Sequence, residues 1–134
     1  MHFYRPPGKI RAMTFDLDDT LYDNGDVILT TVRKTHQALQ QWHPALEKIT
    51  PSDYEAARDQ VKSETPQAVH DVTLWREKAV FLVRQAAGLP EEACRQGVAH
   101  VMSVFARWRS DVNMPDSTHR TLRYLADRLP LVAI

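Results

Sequence analysis

The sequence predicts an α/β chain in which an all-helical insertion separates the first two strands of a parallel sheet. Three observations predict it. A short apolar segment at 9–15 ends abruptly in acid, residues 27–109 read as successive helices, and an apolar run at 129–134 follows one further helix. Parallel neighbours require a crossover of at least a dozen residues, and this crossover carries enough helix to form a domain of its own.

The first strand is Lys9, Ile10, Arg11, Ala12, Met13, Thr14 and Phe15, which follows Pro6, Pro7 and Gly8 and has the apolar content of a strand entering a core. Asp16, Leu17, Asp18, Asp19 and Thr20 then place three carboxylates in four residues, and turn formers continue from Asp23 to Asp26, so 16–24 is a loop at a strand tip. A first helix is predicted over 27–42, with apolar residues at 28, 32, 39 and 42 and a stop at His43 and Pro44. A second spans 51–63: Thr50 caps it, Pro51 takes the first helical position and Asp53 lies in the first turn. The third runs over 72–87 and ends at Gly88. The fourth, 91–109, sets Val98, Val101, Met102, Phe105 and Trp108 on one face, a core stripe by its spacing. Asn113, Met114, Pro115 and Asp116 break the pattern before a fifth helix at 117–127 and the closing strand at 129–134.

Composition narrows the function. With 43% hydrophobic and 25% charged residues, the chain is that of one folded domain with a core. Seventeen basic residues balance seventeen acidic ones, so no net field draws a nucleic acid, an anionic membrane or an acidic partner. No apolar stretch approaches the ~20 residues that span a bilayer, and the start has no signal-peptide core. A cytoplasmic location is the expectation. Cys94 is the lone cysteine, so no internal disulfide forms, and it reads as inert filler on a helix. The six histidines fall into no paired ligand spacing, which speaks against zinc.

The acidic loop carries the chemistry. Open α/β sheets bind ligands in the crevice beyond the carboxyl ends of their strands. Two charges about 4 Å apart repel by about 1 kcal/mol in water and about 4 kcal/mol at an effective dielectric of 20, so such a cluster calls for a cation or a shared proton. Oxygen ligands alone favour magnesium over a transition metal. The ordinary alternative is a solvated loop in which Asp16 or Asp18 caps a helix. A calcium loop counted from Asp16 fails, since Leu21 replaces the required glycine and Val27 the bidentate glutamate.

Met13, Thr14, Phe15, Asp16, Leu17, Asp18, Asp19, Thr20 and Leu21 resemble the first motif of the haloacid dehalogenase superfamily, an apolar strand followed by Asp-x-Asp-x-Thr. The resemblance implies a Rossmann-like core, 1–24 and 116–134, with a four-helix cap inserted at 25–115. It implies that Asp16 is a nucleophile toward phosphorus and Asp18 the general acid that later activates water. The Asp16 carboxylate and the Asp18 backbone carbonyl become ligands of Mg2+, and Thr20 supports the loop. Dehalogenases of the superfamily carry a non-acidic residue at the place of Asp18, because halide leaves without a proton, so Asp18 favours phosphoester cleavage. Asp19 reads as a supporting carboxylate.

The resemblance extends through Phe3, Tyr4, Arg5 and Pro6, the segment His70, Asp71, Val72, Thr73, Trp75 and Arg76, then Trp108, Arg109 and Ser110, and the last five residues. It points to a branch that hydrolyses flavin mononucleotide and a phosphorylated ribitylaminouracil in riboflavin biosynthesis. The substrate is then a small phosphate ester, which a mobile cap covers. Asn24, Trp75 and Arg76 are the substrate contacts this implies, Trp75 by stacking and Arg76 at a polar edge; core packing for Trp75 and a solvated surface for Arg76 are the competing reading. Nothing in the sequence sets an oligomeric state.

The superfamily's phosphoryl-binding serine or threonine follows a strand like Leu131, Val132, Ala133 and Ile134, and its lysine and last acidic pair come later still. No residue here stands in for them. A poor or inactive phosphatase is the expectation for the 134 residues by themselves, with unpaired strands that destabilise or associate. The competing functions are a truncated, non-catalytic helical binding module and, less favoured, a 2-haloacid dehalogenase.

Overall fold

The computed structural model describes residues 8–134, so Phe3, Tyr4, Arg5 and Pro6 lie outside the described residues. The chain divides into two compact units, one formed by the described residues up to Ile28 together with Asp111–Ile134, the other by Leu29–Ser110.

In the first unit, β1 (Met13–Phe15) pairs in parallel with β2 (Leu131–Ala133), in the register Met13 to Leu131, Thr14 to Val132 and Phe15 to Ala133. The Met13 N–H donates to the Pro130 carbonyl at 3.0 Å and the Ile134 N–H to the Phe15 carbonyl at 2.9 Å. Both strands are shorter than the apolar runs predict. The reason lies in α5 (Asp116–Ala126): the Leu129 N–H donates to the Leu125 carbonyl at 2.9 Å, which holds residue 129 in the helix terminus, and Pro130 brings no N–H to a ladder. Residues 9–12 therefore have no extended backbone opposite them in this register. The helix itself begins one residue before its predicted start, with Asp116 placing negative charge in the first turn.

The helix α1 (Gly25–Gln41) starts where the Asn24 carbonyl accepts the Ile28 N–H at 2.9 Å. In the Leu29–Ser110 unit it is followed by α2 (Pro51–Glu64), α3 (Val72–Ala86) and α4 (Glu91–Arg109). Their starts follow from capping. Thr50 Oγ1 accepts the Asp53 N–H while the Asp53 carboxylate takes the Thr50 N–H at 2.8 Å, a complete capping box. Asp71 accepts the N–H groups of Thr73 and Leu74, each at 3.0 Å, and Gly88 leaves α3 with φ +79°. Two short 3-10 turns, Pro44–Leu46 and Pro66–His70, connect these helices; the sequence reading gave them no structure, because a single turn has no period to detect.

The core of this unit joins Leu39, Ala57, Val61, Ala79, Val80, Val83 and Val101 from the helices with Leu46 and Ala68 from the 3-10 turns. Each fully buried valine or leucine contributes about 1.5–3 kcal/mol. A charged residue is buried beside it. Arg84 is 0% exposed; its Nη2 donates to the Ala93 carbonyl at 3.1 Å, while Nε and Nη1 have no partner among the described residues. Gly97 makes room for it, since a Cβ there would sit 1.7 Å from Arg84 Cζ. Cys94 is buried on α4 with its thiol donating to the Leu89 carbonyl. Among the described residues, no helix is long and apolar enough to cross a membrane.

Candidate active site

The acidic loop leaves β1 at Phe15, which is half-buried in the two-stranded ladder, and Asp16 stands exposed at the strand's carboxyl end. The chain then turns sharply. The N–H groups of Thr20 and Leu21 both reach the Leu17 carbonyl, at 3.4 and 3.0 Å, and Asp19 takes the left-handed backbone conformation, φ +57°, which aspartate tolerates better than most residues. Leu21 is buried and anchors the turn from below. Asp18 and Tyr22 form an isolated backbone bridge.

This fold-back wraps Asp18 in donors. Tyr22 Oη donates to Asp18 Oδ1 at 2.5 Å and Asn24 Nδ2 donates to Asp18 Oδ2 at 2.9 Å. The Asn24 N–H donates to Asp19 Oδ1 at 2.8 Å, and the Gly25 N–H to Asp23 Oδ1 at 2.8 Å. Neutral donors of the loop itself thus hold the side chains of Asp18 and Asp19 in place, each bond contributing about 0.5–1.5 kcal/mol. Asp16 differs in being exposed at the strand end.

The residues predicted from the sequence fall in different places. Asp16, Asp18, Thr20 and Asn24 belong to one loop. Asn24 is only 5% exposed, and its side-chain amide donates to Asp18. Tyr22 escaped the sequence reading; the signal for it is a phenol four residues after the second aspartate, in a turn that returns on itself. Trp75 and Arg76 lie in the Leu29–Ser110 unit. Trp75 is half-buried against the core, its Nε1–H donating to the Arg58 carbonyl at 2.9 Å and its ring 4.2 Å from Arg58 Cζ. Arg76 stacks on Phe105 at 4.0 Å and lines a cavity of about 530 Å3; burial lowers its pKa, an effect that leaves an arginine charged at neutral pH.

Among the described residues, no three histidines, cysteines, aspartates or glutamates converge as a metal cage. Magnesium does not require one. It keeps several waters and binds through one or two carboxylates together with substrate phosphate, and an exposed Asp16 carboxylate on a hard-oxygen loop fits that demand. The side-chain oxygens of Asp18 accept from Tyr22 and Asn24.

No family profile matches the chain. It is 46% identical, over all of its 134 residues, to 5-amino-6-(5-phospho-D-ribitylamino)uracil phosphatase YigB of Escherichia coli, and covers 56% of that protein. Its structure is similar to the crystal structure of 2-haloacid dehalogenase from Pseudomonas syringae pv. tomato, with a TM-score of 0.82 and 26% identity over 93% of this chain and 54% of the other. The chain therefore spans little more than half the length of each protein that it matches.

Proposed function

From a chain that is homologous along its whole length to a YigB phosphatase and has the fold of a haloacid dehalogenase, we infer the nucleophile-bearing part of a magnesium-dependent phosphomonoester hydrolase. The observation that carries this reading is the pair of aspartates two residues apart at the end of β1, one exposed, the other held by two side-chain donors. The substrate class is a small phosphate ester of the flavin mononucleotide or ribitylaminouracil phosphate type, in line with the name of the E. coli relative.

In this mechanism the Asp16 carboxylate attacks phosphorus in line, the bond to the ester oxygen breaks, and that oxygen takes a proton from Asp18, leaving an aspartyl-phosphate. Asp18, now a carboxylate, removes a proton from the water that attacks the phosphoenzyme and so returns Asp16 to its starting state. Tyr22 and Asn24 orient Asp18, and Thr20 belongs to the turn that fixes its distance from Asp16. The Asp16 carboxylate and the Asp18 carbonyl would hold magnesium, which would supply positive charge to offset that of the transferring group. We assign the Leu29–Ser110 unit as the cap. Dehalogenation, which the structural relative's name raises, is disfavoured by Asp18, an acid that a departing halide does not need.

The test is magnesium-dependent phosphate release from flavin mononucleotide. It compares the 134-residue chain with a chimera that continues past Ile134 with the corresponding part of the E. coli relative, each beside its Asp16→Asn form. Release that depends on magnesium and falls to background with Asp16→Asn is expected of the chimera. Turnover that survives Asp16→Asn would remove the nucleophile assignment.

A further inference from the structure

The cavity of about 530 Å3 in the Leu29–Ser110 unit has the size of a small-molecule site, about 300–1,000 Å3. Its apolar wall comes from three helices: Leu29, Val32 and Leu39 of α1, Val80 of α3, and Val101 and Phe105 of α4. Its polar groups are mismatched. Thr35 Oγ1 and Arg58 Nε are buried without a hydrogen-bond partner among the described residues, and both residues line the cavity. An arginine N–H can only donate, and a buried donor left unpaired costs about 1–3 kcal/mol. Arg76 adds a third donor, its guanidinium stacked 4.0 Å from the centre of the Phe105 ring. Glu55, the acid in this wall, already receives Arg58 Nη1 on both oxygens, at 3.0 and 2.9 Å. What the cavity lacks is an apolar body with hydrogen-bond acceptors on its edge.

We propose that this cavity binds a planar heterocycle bearing carbonyl and ring-nitrogen acceptors, of the uracil or flavin type, with Thr35, Arg58 and Arg76 donating to its edge. The choice of a planar heterocycle rests on the phosphatase reading; the demand for an acceptor does not. The heterocycle enters between apolar side chains of α1 and α4, and the hydroxyl of Thr35 and Nε of Arg58 gain the partners they lack. Trp75, whose indole N–H is already spent on the Arg58 carbonyl, supports α2 and takes no part in the edge contacts.

Calorimetric titration of the 134-residue chain with riboflavin tests this, since riboflavin carries the ring without a phosphate. Inorganic phosphate serves as competitor, because three arginines in the wall also suit a bare anion. Stoichiometric binding that phosphate does not displace is expected. Thr35→Val, which keeps the shape and removes the hydroxyl, and Arg76→Met should each weaken it about tenfold, the value of one hydrogen bond, with Thr35→Ser restoring affinity and far-ultraviolet circular dichroism confirming folded variants. Riboflavin binding is read without turnover, so a failed phosphatase assignment and a failed pocket assignment give different results. Absence of binding, displacement by phosphate, or unchanged affinity in both Thr35→Val and Arg76→Met overturns the proposal.

Discussion

Asp18 is gripped on both oxygens, by a phenol at 2.5 Å and a carboxamide at 2.9 Å, and its rotamer is therefore set by the loop and not by solvent. A positioned acid matters most when the leaving group is poor. Removing the phenol with Tyr22→Phe should lower kcat of the chimera on flavin mononucleotide about tenfold or more, with KM little changed, since general acid catalysis contributes about 100- to 10,000-fold in all. p-Nitrophenolate leaves without a proton, so the first-turnover burst from p-nitrophenyl phosphate should persist in the same variant. Stopped-flow absorbance compares the two substrates, and an equal loss on both would reduce Tyr22 to a structural residue. The aspartates were legible in the sequence because the motif is contiguous. The bond from Asn24 to Asp18 was not, since a bare sequence does not say which carboxylate a neighbouring amide reaches.

At the scale of elements, the helices were read to within a residue or two because their signals are local: Pro51 after Thr50, Gly88 after α3, apolar residues at helical spacing. The strands were read too long, since apolar composition extends to Lys9 and Leu129 but pairing does not. The contact between α3 and α4 was invisible for a different reason: an arginine in a helical pattern reads as solvated, yet Arg84 is buried against Gly97. Gly97→Ala should therefore destabilise the protein by about 1–3 kcal/mol, the usual cost of overpacking. Adding Arg84→Met should restore most of that loss, because it removes a buried guanidinium whose Nε and Nη1 lack partners. Urea midpoints of the parent, the single variant and the double variant measure it; a double variant no more stable than Gly97→Ala would show that the glycine serves something other than the arginine.

At the scale of the whole molecule, all members of the buried core cluster lie in the Leu29–Ser110 unit. That unit should fold when expressed alone, with a cooperative thermal transition and near-full helicity, and Leu39→Ala should cost it about 2–5 kcal/mol. A non-cooperative melt of the excised unit would show that its stability comes from the rest of the chain. Sequence by itself determined the order of strand, acidic loop, helices and strand, together with the aspartate pair that proposes the chemistry, because caps, turns and motifs are written in neighbouring residues. Tertiary structure alone decided that Trp75 bonds to Arg58, that Arg84 needs Gly97, and that Thr35, Arg58 and Arg76 meet around one cavity. Those meetings depend on how helices rotate and pack against one another, and side chains brought together from different helices leave no periodic trace in the sequence.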